Sequence, residues 1–182
     1  QKVESAICDR GYYIMPRMEL PSDFIQNLTS AFGRDATNDW LARLPTLLTE
    51  AASRWDLELG APVDGLSYNY VCTASRPERR RRVQAEEPQS KGDFILKIGI
   101  PNPELTSEME TLKLWGNLLA KHPHGANCPA VRLLDCDPAN GLLLLERLHP
   151  GETLATLADD DLATAIAVDV MSRLWIPAPA VH

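Results

Sequence analysis

Lys97 stands inside an apolar run, Phe94-Ile95-Leu96-Lys97-Ile98-Gly99, and Glu108 follows 11 residues later, beyond Asn102-Pro103. The run reads as a strand and the Asn-Pro pair as the opening of a helix. An ammonium carried into a covered strand must find an anion, because leaving it unpaired away from water is costly enough to shift its pKa or force rearrangement. A helix carboxylate can supply that anion, and so can nucleotide phosphates. An exposed edge strand with the lysine in solvent is the alternative for an isolated run of this kind. The order of the surrounding elements separates the two.

With 182 residues, 45% of them hydrophobic, the chain can bury one good core. A formal net charge of -7 argues against a nucleic-acid footprint over the whole surface, since phosphate contacts need a basic field. Cys8, Cys72, Cys128 and Cys136 show neither C-x-x-C spacing nor a regular framework, so a zinc ribbon and a disulfide scaffold are both disfavoured and a reducing cytoplasm is expected. No stretch reaches the roughly 18 uninterrupted apolar residues of a membrane span, and no basic head with an apolar run opens the chain.

Residues 1–17 lack a clear period and read as an extension. Ser22 is placed to cap a helix through Phe24, Ile25, Leu28 and Phe32, with Gly33 to end it. A second helical stripe, Trp40, Leu41, Leu44, Leu47, Leu48, Ala51 and Trp55, is interrupted by Pro45, which predicts two short helices or a kink. Leu57-Glu58-Leu59 and Leu66 to Thr73 read as a hairpin. Ala74 to Gly92, with Arg76, Arg79, Arg80, Arg81, Arg82, Glu86 and Glu87, reads as a solvated, mobile hairpin tip. No aromatic residues interleave with these arginines to stack bases.

From Pro103 a helix carries Leu105, Met109, Leu112 and Leu119 on one stripe, with Glu108 flanking it. His122, His124 and Cys128 follow in a loop whose proline and glycine impose no rigid ligand spacing, so a metal site is disfavoured. Ala130 to Asp135 and Leu142 to Arg147 read as strands joined by a turn at Pro138 and Asn140-Gly141. The Leu142–Leu145 run marks a central, covered strand. A last helix, Asp161 to Trp175, carries Leu162, Ile166, Val170, Met171 and Leu174.

Helices, hairpin, lysine strand, glutamate helix, hairpin and closing helix follow the order of a protein-kinase-like upper lobe. The chain resembles the aminoglycoside and hydroxyurea phosphotransferases, a family that includes streptomycin kinases, from Leu20 to about Pro179. The likeness rests on Asp39-Trp40-Leu41-Ala42-Arg43-Leu44-Pro45, Leu66-Ser67-Tyr68-Asn69-Tyr70-Val71, the Leu96–Leu105 segment, Ala130–Asp135 and Leu142–Leu148. It implies an α+β fold: a kinase-like N-terminal lobe of about five antiparallel strands with flanking helices, then a hinge and the first C-lobe helix. The corresponding division is an extension at 1–17, an N-lobe at 18–147, a hinge at 148–158 and the start of a C-lobe at 159–182.

The resemblance also implies roles. Lys97 would contact the phosphates of ATP, and Glu108, rather than its neighbour Glu110, would hold Lys97. Ser67 and Asn69 would stand in the phosphate-covering turn, although G-x-G-x-x-G is missing and a plain hairpin turn is the alternative. Glu146 to Leu148 would be the hinge whose backbone reads adenine. The family's base and Mg²⁺ ligands, His-Gly-Asp followed by Asn and a second Asp, have no counterpart, since none of His122, His124, His149 and His182 precedes Gly-Asp. Asp135 and Asn140 copy the catalytic spacing of five, but a hairpin turn lies between them.

The expectation is the upper lobe of a longer kinase, with the C-lobe truncated and this chain inactive alone. Mg²⁺ would be bound only in a complete member. A silent nucleotide-binding or interaction domain is the alternative, and a structural domain with Lys97 and Glu108 as a plain salt bridge is a third reading. An aminoglycoside, or a second copy joined through the last helix, are the other expected partners, with neither nucleic acid nor membrane among them. Geometry should bring Lys97 within about 4 Å of Glu108 and turn Phe94, Leu96 and Ile98 to the opposite face of the sheet.

Overall fold

The computed structural model describes residues 19–77, 93–120 and 129–175. The expected extension at 1–17, most of the arginine-rich tip and the His122, His124 and Cys128 loop lie outside the described residues.

Helix α1 (Ser22–Phe32) buries Phe24 and Leu28, four residues apart on one face. Ser22 is not its cap. Pro21 takes the N-cap position, and the Ser22 hydroxyl donates to Asp23 at 3.2 Å. Gly33 ends the helix as expected, with φ at 84° and its N–H donating to the Thr29 carbonyl at 3.0 Å. Helix α2 (Arg34–Trp55) then runs unbroken through Pro45, contrary to the expected interruption. The proline is exposed, so the carbonyl left without its helical partner is on the side that water reaches. Thr37, Trp40, Leu44, Leu47, Leu48, Ala51 and Trp55 are buried on both sides of it. At roughly 2 kcal/mol for each large apolar side chain, this stripe outweighs the ~3 kcal/mol cost of an internal proline.

Five strands form one antiparallel sheet in the order β1-β2-β3-β5-β4: β1 (Glu58–Pro62), β2 (Asn69–Ser75), β3 (Asp93–Gly99), β4 (Leu133–Asp137) and β5 (Leu142–Glu146). β2 begins at Asn69 instead of Leu66, because β1 pairs only as far as Pro62, across a register shift, and Leu66 is buried without joining the ladder. β4 likewise begins at Leu133 instead of Ala130.

The sheet is covered on both faces. Tyr70, Cys72, Ala74, Leu96, Ile98, Leu142 and Leu144 pack with α1 and α2, and Phe94 joins them. Ile95, Leu143, Leu145 and Cys136 pack with Leu105, Met109 and Leu112 of α3 (Pro103–Ala120). Four consecutive buried leucines in β5 follow from this double cover, as expected of a central strand. The side chain of Leu119 lies outside the described residues.

Beyond β5, a 3-10 turn (Leu154–Thr156) leads to α4 (Asp160–Leu174), where Asp159 caps the helix by accepting from the Leu162 N–H at 2.9 Å. No residue of α4 is buried, and Leu162, Ile166, Val168 and Met171 are exposed. No described helix is long and apolar enough to cross a membrane. The architecture is that of a kinase-like N-terminal lobe, α+β with an open five-stranded sheet.

Candidate nucleotide site

Alternation along β3 sends Leu96 and Ile98 into the α1–α2 core and leaves Lys97 on the face that α3 covers. Its flanking register partners are Val71 on β2 and Leu143 on β5. Helix α3 is anchored close by. Asn102 Oδ1 accepts from the Leu105 N–H at 3.0 Å, while Asn102 Nδ2 donates to the Ile100 carbonyl at 2.9 Å, fixing the turn out of β3. One turn further on, Glu108 receives two hydrogen bonds from Lys97 Nζ, each 2.7 Å. The lysine side chain is 19% exposed and that of the glutamate 36%. Lys97 is therefore held with its charge matched, yet within reach of solvent. Glu110, the rival on the same helix, is exposed.

Asn69 is the first residue of β2 and pairs with Gly99, the last of β3. It shares the Lys97 face as the lysine's diagonal neighbour, a position within reach of one long side chain. Ser67 is exposed in the link before it. Glu146 pairs with Phe94, three residues from Lys97 along β3 and so roughly 10 Å away. Its N–H donates to the Arg132 carbonyl at 3.0 Å, and its carboxylate accepts from the Arg132 N–H at 2.7 Å. These contacts tie the approach to β4 onto β5. Leu148 is 57% exposed. The structure thus joins Lys97 to Glu108, sets Asn69 on their face, and spaces Glu146 and Asn69 at opposite ends of β3 with the lysine between.

Asp135 and Asn140, with their catalytic-like spacing, are engaged elsewhere. Asp135 Oδ2 accepts from Trp55 Nε1 at 2.7 Å, and Asn140 Nδ2 donates to Asp137 Oδ2 at 3.1 Å. Arg54 reaches Asp137 at 3.0 Å and Arg43 reaches Asn140 at 3.3 Å. The Asn140 hydrogen bond, opposed in part by burial, holds the Asp137 carboxyl below its ordinary range. This network binds α2 to the β4–β5 hairpin. Its sequence signal is weak: two arginines eleven residues apart on α2, and aspartates alternating along β4. Among the described residues, no group of three or more His, Cys, Asp or Glu could hold a metal ion.

The sequence profile of the aminoglycoside/hydroxyurea antibiotic resistance kinase family matches residues 95–182, from the lysine strand onward. Over that span the chain is similar to these kinases. It is 32% identical to streptomycin 6-kinase of Streptomyces glaucescens over 164 residues, which is 89% of this chain and 46% of that protein. With streptomycin 6-kinase of Streptomyces griseus it shares 30% identity over 151 residues, 82% of this chain and 42% of the relative. Hydroxyurea phosphotransferase of Kitasatospora aureofaciens is 27% identical over 151 residues, 83% of this chain and 38% of the relative. The chain therefore spans less than half the length of the curated relatives it matches. No solved structure matches it. The resemblance read from five sequence blocks is the one these comparisons give.

Proposed function

We propose that residues 19–175 are the nucleotide-binding part of an ATP-dependent phosphotransferase whose acceptor is an alcohol group of an aminoglycoside or of hydroxyurea. The observation that carries this reading is the double 2.7 Å contact between Lys97 Nζ and Glu108. It fixes a cation on a rigid strand while leaving it accessible. Bound ATP would supply the phosphoryl group. Lys97 would neutralise phosphate charge, Glu108 would keep the ammonium in place, and Asn69 and Ser67 would offer hydrogen bonds at the same end. The segment from Glu146 to Leu148 would face adenine through its remaining backbone groups, since the Glu146 carboxylate and N–H are committed to Arg132.

Within residues 1–182 no histidine precedes Gly-Asp, so this polypeptide offers no base for the acceptor hydroxyl and no Mg²⁺ ligands of the family type. ATP affinity is then on the order of 0.1 to 1 mM and nearly indifferent to Mg²⁺. Calorimetry tests this. Lys97→Ala should weaken binding about tenfold, and unchanged binding would favour a plain salt bridge. Streptomycin and hydroxyurea should remain unphosphorylated, whereas turnover abolished by Asp135→Asn would overturn the reading.

A second reading is a catalytically silent nucleotide-binding module, which binds ATP equally and is separated from the first by whether supplying the remainder of a relative restores turnover. Two copies would pair through Leu162, Ile166 and Met171 of α4, which sedimentation would detect. Cys72 and Cys136 are free and lie on opposite faces of the sheet, as suits a reducing cytoplasm.

A further inference from the structure

Gly99 ends β3 opposite Asn69, and its N–H donates to the Gly141 carbonyl in the β4–β5 turn at 3.0 Å. A Cβ at position 99 would lie 2.2 Å from Asn69 Oδ1 and 3.0 Å from a methyl carbon of Leu105. The space a side chain would need is already filled, on one side by an amide and on the other by the first buried leucine of α3. Both neighbours flank Lys97. Asn69 is its diagonal neighbour across the β2–β3 ladder, and Leu105 precedes Glu108 by three residues, hence by nearly one helical turn. The Asn69 side chain is half-buried and has no hydrogen-bond partner among the described residues. With Oδ1 against Gly99, its Nδ2 is left to donate.

We infer that Gly99 is a positioning residue, whose missing side chain seats the Asn69 amide beside Lys97 so that amide and ammonium address the same phosphate group. This rests on the nucleotide reading above. Gly141 is close-packed for a different reason. At φ 69° its Cβ would lie 2.1 Å from the Gly99 carbonyl oxygen, a backbone atom that cannot swing aside as an amide can. Substitution at 141 strains the fold, whereas substitution at 99 displaces Asn69 first.

The test is Gly99→Ala in the full 182-residue chain, titrated with ATP beside Asn69→Ala and the double variant. Each single variant should weaken ATP binding about fivefold, the worth of one hydrogen bond, and the double variant should be no weaker than Asn69→Ala. Additive losses, or full affinity in Gly99→Ala, overturn the inference. A second readout needs no nucleotide: the side-chain NH₂ resonances of Asn69 should move in Gly99→Ala and stay in place when distant Leu112 is replaced by Met. Unmoved resonances overturn the inference even if ATP binds. Moved resonances in a chain that fails to bind ATP would support the seating of Asn69 and refute the nucleotide reading. Should Gly99→Ala fold too poorly to titrate, adding Asn69→Gly removes the contacted amide. Recovery of thermal stability supports the inference, and no recovery overturns it.

Discussion

The two faces of the sheet are built from the same strands and made for different work. Against α1 and α2, β3 presents Leu96 and Ile98, both 0% exposed, within a cluster that runs from Phe24 to Leu144. Against α3 it presents Ile95 and Lys97, and among the described residues the cluster there has six buried members, next to an ion pair still open to water. Burial of apolar area dominates stability, while an ion pair partly open to water adds little. One face therefore holds the lobe together and the other holds a charge in place. Under the nucleotide reading proposed above, that charge must stay accessible, which is incompatible with a fully closed core.

The sharpest way to break this contrast is Leu96→Ala, which should cost about 3 kcal/mol in urea unfolding, since Leu96 is packed between Cys72 and Leu144 in the ladder. Met109→Ala on the α3 face, 1% exposed, should cost less, about 2 kcal/mol, because a flexible thioether site collapses more readily. Equal costs would remove the distinction.

Alkaline titration should also act on the α1–α2 face. Burial pushes the Cys72 thiol from 9.0 up to about 12, and burial followed by the nearby Cys72 pushes Tyr70 from 10.0 up to about 12. Both folded values are raised, so the unfolded chain releases these protons first. Stability is full below the ordinary values and falls as pH rises from about 9 toward 12. Tyr70→Phe and Cys72→Ala should each flatten that fall in pH-dependent unfolding. A decline unaffected by either would place its origin elsewhere.

A smaller effect tests how the edge of the sheet is joined to α2. Trp55→Phe removes the donor to Asp135 and should cost about 1 kcal/mol, with positive coupling in a double-mutant cycle with Asp135→Ala. The smallest effect is expected at Lys97→Met, whose stability should stay within about 1 kcal/mol of the parent because the pair is partly solvated and the replacement packs well. A loss above that would show that the ion pair supports the fold and is not reserved for a ligand.

Much of this was legible in one dimension. The strand–helix order and the covered, interior place of β5 follow from period and spacing, because alternation in strands and the 3.6-residue turn of helices assign faces locally. The count of five antiparallel strands and the choice of Glu108 over Glu110 as the partner of Lys97 came from the family resemblance. The unbroken α2 was not legible. Pro45 is a local signal for a break, and the burial that overrides it comes from strands that are distant in sequence. The starts of β2 and β4 were misplaced for the same kind of reason, since a strand exists only where a partner's register reaches it.

Residue chemistry along the chain picked out a lysine in an apolar strand with a glutamate on the following helix, and the family resemblance added Ser67 and Asn69 at the start of β2 as candidate phosphate contacts. Only the tertiary structure decided how they sit. It turned Glu146 toward Arg132, gave Asp135 to Trp55, and laid the Asn69 amide over Gly99. Those outcomes depend on atoms brought within about 3 Å by strand pairing and helix docking, and such approaches are set by packing across the sheet, which sequence spacing does not encode.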